Sequence, residues 1–445
     1  MSLLDETIDW LEKQSHGQNE YLQSARDLCR DTIPIVNANA RYKEHNVLRR
    51  ILIPNKIHHF KIEWEDDNHN CRVNTGWRVQ HNNALGPYKG GTRFTPSCSE
   101  SVLKFLALEQ SFKNSLTGLN LGAGKGGANA NVKQMSKSEL RRFSKAYMQS
   151  LHAYIGDMVD VPAGDINVGP EQIAWMFGEY LKQTNSYEGA LSGKPVDLAG
   201  SQLRKQATGF GVIYFLREVL QELQQELSDT SIAISGAGNV ALHTALKASQ
   251  LGASVKTLSS SSGAYIDESG ISESDIKWLI NNKDNHSMIL KDLAERSSGT
   301  FLEDEHPWSV KVDVVIPCAT QNEIHKDLAQ TICKNETKVV IEGANMPCSS
   351  GAGEVFKESN VLWVPGKAAN AGGVILSGFE MQQNAALSYR NKETLDEQLQ
   401  SAISKIHKRC IDESKIHDDN KIDYQRSANV AAFRRLADAV IALGY

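Results

Sequence analysis

Residues 231–258 read SIAISGAGNVALHTALKASQLGASVKTL, and the order of their apolar runs and glycines sets the architecture. Residues 231–235 form a short strand, Gly236-Ala-Gly-Asn-Val-Ala241 is a turn opening a helix, and the run to Leu251 keeps helical spacing. Gly252 stops the helix, and residues 254–258 form the next strand. Strand, crossover helix and strand make a βαβ unit with G-x-G-x-x-A at its first turn. Bare backbone N–H groups at a helix N-terminus are what a dinucleotide pyrophosphate needs, so Gly236 and Gly238 are expected to bind one.

The acidic residue that usually holds the adenosine ribose should close the second strand, where this chain has Leu-Ser-Ser-Ser-Ser-Gly over 258–263. No carboxylate stands there to repel a phosphate, and Ser260, its neighbouring hydroxyls and Lys256 are at hand. NADP is therefore expected ahead of NAD, a plain serine turn being the other reading. Before this unit, ATGFGVIYFLREVLQELQQEL (207–227) is a long amphipathic helix. After it, strands end in CAT (318–320), EGAN (342–345) and VPG (364–366), as in a parallel sheet that binds ligand at its carboxyl edge. Asn345 and Asn370 are placed there toward the nicotinamide half, Asn370 also counting as substrate-binding. Residues 367–384 read as helix and carry Ser377, and the remainder to Tyr445 is helical and amphipathic.

In the first 200 residues, Lys89, Lys113 and Lys125 lie in or beside what read as tight glycine turns, where the missing Cβ lets ammonium groups close on a small ligand. Such an arrangement suits a dicarboxylate. A Walker phosphate loop is excluded, because Leu119 and Gly126 fill its glycine and hydroxyl positions. Residues 57–64 and 71–80 alternate with a period of two and read as paired strands. Residues 97–116 read as a helix with a capping box of Ser97 and Glu100; Gln110 and Lys113 share one of its faces, and Lys104 is expected to be a solvated surface charge. Asp157, Asp160 and Asp165 fall within nine residues, but no histidine accompanies them at ligand spacing and the calcium-loop pattern is missing, so no metal is expected. Asp165 instead sits in a Pro-Ala-Gly-Asp turn before a helix starting near Pro170, from which one carboxylate can be aimed into a cleft.

Composition bounds these readings. With 445 residues, 40% of them hydrophobic, the chain can bury a core large enough for two domains. A net charge of −5 gives no bulk attraction for nucleic acid or an anionic membrane, so neither is an expected partner. Seven cysteines without a CxxC pair point to a reducing cytoplasm, and the acidic, helical N-terminus does not read as a signal peptide. Residues 3–50 carry apolar groups at helical spacing, for packing or subunit contact. The expected architecture is α/β in two domains with a deep cleft between them. Residues 1–200 form an N-terminal α/β substrate-binding and oligomerisation domain, 201–424 a Rossmann-like dinucleotide-binding domain, and about 425–445 a helix packing back on the first.

Nine runs in order, GPYKGGTRF, LEQSFKNSL, GKGG, DVPAGDI, ATGFG, GAGNVA, PCATQNE, EGANMP and GKAANAGGV, resemble the hexameric glutamate dehydrogenases of bacteria and fungi. Chance does not give nine ordered matches. The resemblance implies reductive amination of 2-oxoglutarate by ammonia and NADPH, reversible to L-glutamate, in a cytoplasmic homohexamer. By motif, Lys125 is similar to the family's catalytic lysine and Asp165 to its proton-transfer carboxylate. Lys113 and Gln110 match the groups on the substrate's α-carboxylate, Lys89 and Ser377 those on the distal one. Thr208, Asn239, Gly236 and Gly238 match coenzyme contacts.

The chain departs from that pattern at four places. Ala123 replaces a glycine ahead of Lys125, Asn167 stands at a substrate-contacting backbone position where the family has glycine, Lys205 replaces a proline, and Cys348-Ser349 replaces a threonine pair. None removes a charged catalytic group. The alternatives are a leucine, valine or phenylalanine dehydrogenase, which lacks the distal-carboxylate lysine, and a catalytically silent relative serving as a binding subunit.

Overall fold

The computed structural model describes residues 2–282, 288–416 and 422–444; the helix expected across 417–421 and at Tyr445 lies outside them. The chain divides into two units, Met1–Gln202 with Val374–Leu395 and Asn429–Tyr445, and Leu203–Gly373 with Asp396–Ala428. The first thus takes in residues 374–395, which the sequence reading placed in the dinucleotide half.

In the first unit α1 (Leu3–Gln14), α2 (Asn19–Ala38), α3 (Ala40–Glu44) and α4 (Val47–Leu52) precede a mixed five-stranded sheet. Its strands are β1 (Lys56–Glu65), β2 (Cys71–Asn82), β3 (Tyr88–Phe94), β4 (Ala123–Ala128) and β5 (Asp160–Gly164), in the order β1-β2-β4-β3-β5. The two alternating segments pair antiparallel from Lys56↔Gln80 to Glu65↔Cys71, as expected of a hairpin. Strand β3 runs parallel to both β4 and β5. One face of the sheet buries Trp77 and Val79 against Leu103 and Ala107 of α5 (Glu100–Thr117). The other buries Phe94 against Phe143 and Tyr147 of α6 (Lys137–Leu151), with Ile173 and Phe177 of α7 (Pro170–Thr184).

Two local expectations fail here. Helix α5 is capped by Ser99, whose Oγ accepts from Val102 N at 3.3 Å, not by Ser97. Ser97 is still in a turn closed by Cys98 N on the Thr95 carbonyl, so the backbone becomes helical only afterwards. Lys104 is buried, 4% exposed, with Nζ 2.7 Å from Ser15 Oγ and 4.2 Å over the Tyr21 ring. The groups that cover it belong to α2 and the end of α1, which the spacing along α5 does not reveal. Burial pushes the Lys104 ammonium down to about 8. Above that pH the folded chain gives up a proton that the unfolded chain keeps until its ordinary value of 10.5, so this site adds stability as pH rises. Wild type is therefore expected to gain stability over Lys104→Met between about pH 8 and pH 10.5 in urea titrations; a difference flat with pH refutes the burial argument.

The second unit begins with α8 (Ala207–Glu222), β6 (Ser231–Ile234), α9 (Asn239–Gln250) and β7 (Ser254–Ser260), the last two strands parallel as the βαβ reading requires. Next come β8 (Gly263–Ile266), α10 (Glu273–Asn282), α11 (Ile289–Arg296), β9 (Thr300–Glu303) and β10 (Val314–Ile316). Then follow α12 (Lys326–Lys334), β11 (Val339–Ile341), α13 (Ser350–Glu358), β12 (Leu362–Val364) and α14 (Gly366–Ala369). The seven-stranded sheet has the order β12-β11-β10-β6-β7-β8-β9, parallel from β12 to β7 but antiparallel beyond. The fully parallel sheet is thus corrected at one edge. Ser262 N donates to Ser260 Oγ and Gly263 sits at φ +145°, so the chain reverses within four residues. A parallel neighbour needs a crossover of a dozen or more.

The helix expected over 367–384 is broken into α14 and α15 (Gly372–Ala385) at Asn370. Helices α16 (Lys392–Ile416) and α17 (Tyr424–Ala442) follow. The later turns of α17 lie in the first unit, where Arg435 donates to the carbonyls of Ser115 and Leu119 and Tyr42 Oη bonds Asp438. Among the described residues no helix is long and apolar enough to cross a membrane, and all seven cysteines are free thiols.

Candidate functional site

Lys89 and Lys125 lie within strands β3 and β4 and Lys113 in α5, which corrects the expectation of tight turns. None of Gly90, Gly91, Gly124, Gly126 or Gly127 has a positive φ, so backbone freedom is not what glycine provides. Space is. A Cβ on Gly90 would stand 1.7 Å from the Gly124 carbonyl oxygen, and one on Gly91 would stand 2.8 Å from Asp165 Cβ and 3.2 Å from Lys125 Nζ. Bare strands let lysine and aspartate meet directly over Gly91.

That meeting is the centre of the charge cluster. Lys125 Nζ lies 3.1 Å from Asp165 Oδ2, and Arg93 Nε donates to the same oxygen at 2.8 Å. Burial depresses the Lys125 ammonium most, the Asp165 carboxylate opposes that, and the Arg93 and Arg78 cations add to it; the result lies below the usual lysine range. For Asp165, burial pushes upward but Lys125 and Arg93 outweigh it, leaving the carboxyl below its ordinary value. Behind them Arg78 and Asp160 form a fully buried pair, Nε to Oδ2 2.9 Å, with Gln80 Nε2 on that carboxylate at 3.0 Å and Arg78 Nη1 on the Gly90 carbonyl at 3.2 Å. A buried pair with its hydrogen bonds met ties β2, β3 and β5 together, and losing one partner would strand the other charge.

Sequence reasoning did not assign Arg93, Arg78 or the role of Asp160. Arg93 was within the quoted GPYKGGTRF run, and Arg78 stood between two apolar residues of an alternating strand. Either position could have prompted a search for a buried acid.

Gln110 packs against β3, its Cγ 3.5 Å from where a Gly90 Cβ would stand, and its Nε2 donates to Asn114 Oδ1 at 2.7 Å. Asn114 in turn donates to the carbonyls of Lys89 and Gly122. Lys113, three residues along the helix from Gln110, is half-buried, whereas Lys89 is 1% exposed and registers with Val161 of β5. Ser377, also buried, is on α15. One turn further, Glu380 accepts from Gly193 N and pairs with Lys194 Nζ at 3.1 Å, while Ser192 N bonds the Pro162 carbonyl on β5. The helix of Ser377 is thereby pinned to the segment that flanks Lys89's neighbour strand.

The structure accounts for two of the departures. Asn167 sits at φ +59°, where asparagine is tolerated in place of glycine, and its Nδ2 donates to the Phe94 carbonyl at 2.8 Å. Ala123 is an ordinary buried strand residue paired with Asn82, so no left-handed geometry is lost there.

In the second unit Gly236 has φ +87° and donates to Ser259 Oγ at 2.9 Å. A Cβ on Gly238 would meet nothing within 4 Å, leaving the N-terminus of α9 open to a phosphate. Asn239 begins that helix and bonds the Lys205 carbonyl at 2.6 Å; Thr208 lies in the first turn of α8. Ser260 is exposed at the end of β7 and bonds Ser262 Oγ at 2.9 Å, but Lys256 donates to the Glu268 carbonyl and is occupied there. Hydroxyls alone then mark the strand end. Asn370 Nδ2 reaches Asn345 Oδ1 at 3.1 Å, so these two side chains adjoin where β11 and β12 end.

Residues 199–444 match the family model of Glutamate/Leucine/Phenylalanine/Valine dehydrogenase, and residues 54–182 match that of the Glu/Leu/Phe/Val dehydrogenase dimerisation domain. The chain is similar to an NADP-specific glutamate dehydrogenase of Psychrobacter sp. (strain TAD1), 42% identical over 99% of both chains. It is also similar to an NAD-specific glutamate dehydrogenase of Porphyromonas gingivalis, 39% identical over 99% of both. The crystal structure of Plasmodium falciparum glutamate dehydrogenase superposes with a TM-score of 0.97 at 39% identity, covering 99% of this chain and 94% of that one.

Proposed function

The chain belongs to the Glu/Leu/Phe/Val dehydrogenase family, and from that premise we propose that Lys125 and Asp165 perform the reversible oxidative deamination of L-glutamate to 2-oxoglutarate and ammonia. The activity is that of a glutamate dehydrogenase, with NADP or NAD as coenzyme. The observation that carries the residue assignment is the buried Lys125 Nζ set 3.1 Å from Asp165 Oδ2.

Lys89 and Ser377 hold the distal carboxylate, Lys113 and Gln110 the α-carboxylate, with Asn167 and Asn370 completing the substrate contacts. In the aminating direction ammonia attacks the ketone carbon; Lys125, its ammonium held below the usual lysine range chiefly by burial, serves the carbonyl oxygen. Asp165 moves protons between ammonia, the carbinolamine and the departing water, which leaves the iminium. Thr208, Gly236, Gly238, Asn239, Ser260 and Asn345 would hold the nicotinamide coenzyme, which when bound would supply reversible hydride chemistry at the α-carbon. The open backbone at Gly238 fits the pyrophosphate of such a group.

NADP is the preferred coenzyme on this reading, because exposed hydroxyls and no carboxylate end β7. Ser260→Asp should lower kcat/KM for NADPH relative to NADH by about tenfold or more, as a like charge meets the ribose phosphate. An unchanged or increased NADPH preference, from initial rates with both coenzymes, rejects the ribose assignment. The assembly is a cytoplasmic homohexamer on the same reading. NADPH oxidation with 2-oxoglutarate and ammonium tests the activity, and a folded protein without turnover would be the silent relative.

A further inference from the structure

Two cations at this site share one carboxylate oxygen. Arg93 Nε and Lys125 Nζ both address Asp165 Oδ2, at 2.8 and 3.1 Å, and Oδ1 accepts no hydrogen bond from a described residue. The backbone around Asp165 is fixed. Val168 N donates to its carbonyl at 3.0 Å, Phe94 N to the Ile166 carbonyl at 3.1 Å, and Asn167 Nδ2 to the Phe94 carbonyl. What remains free is rotation of the carboxylate about its own side-chain bonds. A group that passes protons must hold one oxygen toward the reacting atoms, since misplacement by about 1 Å can cost roughly 100-fold in rate.

We propose that Arg93 is a positioning residue that commits Asp165 Oδ2 to Lys125 and so presents Oδ1 to ammonia and water. The proposal rests on the glutamate dehydrogenase reading and assigns the atom through which its protons pass. Arg93 is well placed for this: it is anchored in β3, in register with Gly127 of β4, and its side chain is 15% exposed beside an Asp165 side chain 18% exposed. The geometry has an electrostatic counterpart. The charged groups facing the pair are Lys125 on β4, Arg93 on β3 and Arg78 on β2, with the Cys98 thiol beside them. Lys125 first and Arg93 after it keep the Asp165 carboxyl below its ordinary value against burial, and Arg93 also helps depress Lys125.

The test compares Arg93→Met and Arg93→Lys in the full-length enzyme by pH profiles of kcat and kcat/KM for glutamate. Removing the cation raises the proton affinity of both Asp165 and Lys125, and both must be unprotonated to work in deamination. The acid limb of the Arg93→Met profile is therefore expected to move to higher pH, with kcat down about 100-fold and KM for glutamate changed less than about threefold. Arg93→Lys restores the charge but not the guanidinium geometry, so its profile should return toward wild type while kcat stays about tenfold low. If both variants fold, bind NADPH and keep the wild-type kcat and profile, the proposal is overturned. Should Arg93→Met not fold, Arg93→Lys decides alone: wild-type kcat rejects the role and a low kcat with restored profile supports it. A wild-type enzyme inactive on glutamate would reject the activity itself, an outcome distinct from active variants.

Discussion

Lys125→Ala is expected to abolish turnover in both directions while leaving the coenzyme bound and the chain folded. Loss of a general acid or base commonly costs about 10²–10⁴ in rate, and loss of a charged donor to a developing oxyanion about 10²–10³, so a fall of about 10⁴ or more is the expected scale. The fold survives for a reason visible in the site. Asp165 keeps Arg93 as a partner at 2.8 Å, so removing the ammonium leaves no buried carboxylate alone. Alanine also fits a strand already built of Ala123, Gly124, Gly126 and Gly127. The residues proposed to bind the coenzyme belong to the other unit, Leu203–Gly373 with Asp396–Ala428. Steady-state rates with glutamate and with 2-oxoglutarate plus ammonium, alongside NADPH titration by fluorescence, measure the two halves of the expectation. Activity within tenfold of wild type would remove Lys125 from the chemistry.

What could be read from the chain alone was whatever is encoded within about 30 residues. The βαβ unit is of that kind: strand period, Gly236-Ala-Gly238 and helix follow one another, and β6, α9 and β7 appear where they were expected. The hairpin from β7 into β8 is equally local; its serines were read as ribose contacts with a plain turn as the other reading, but that this turn sends the chain back as an antiparallel neighbour went unread. Lys104 was read as solvated and Arg78 was not read at all, for another reason. Their partners Ser15 and Asp160 lie 89 and 82 residues away, and an isolated charge on a strand or helix reads as solvated until the element covering it is known. The glycine-rich runs show the intermediate case. These runs pointed to the strands that bring Lys125, Arg93 and Asp165 together, yet glycine signals both left-handed turns and close strand approach, and only the pairing of β3 with β4 tells which.

Lys89→Leu should turn the substrate preference away from glutamate and toward amino acids with apolar side chains. Lys89 is buried at 1% exposure on β3, where an ammonium is costly to hold without polar partners, and on the proposed reading the substrate's distal carboxylate is one of those partners. Leucine has a similar girth without the charge. The distal carboxylate of glutamate would then enter the pocket with Ser377 but no cation to meet it, at a cost of about 2–5 kcal/mol in kcat/KM, or roughly 30- to 5,000-fold. An unbranched apolar amino acid pays no such penalty and gains contact with the new methyl groups, so the ratio of the two kcat/KM values should move by more than either alone. Because Lys125 and Asp165 are untouched, kcat for the apolar substrate should exceed that of wild type with the same substrate. Preference unchanged from wild type would mean that the distal carboxylate is held elsewhere, and the buried ammonium of Lys89 would then have to serve packing of β3 on β5 instead of recognition.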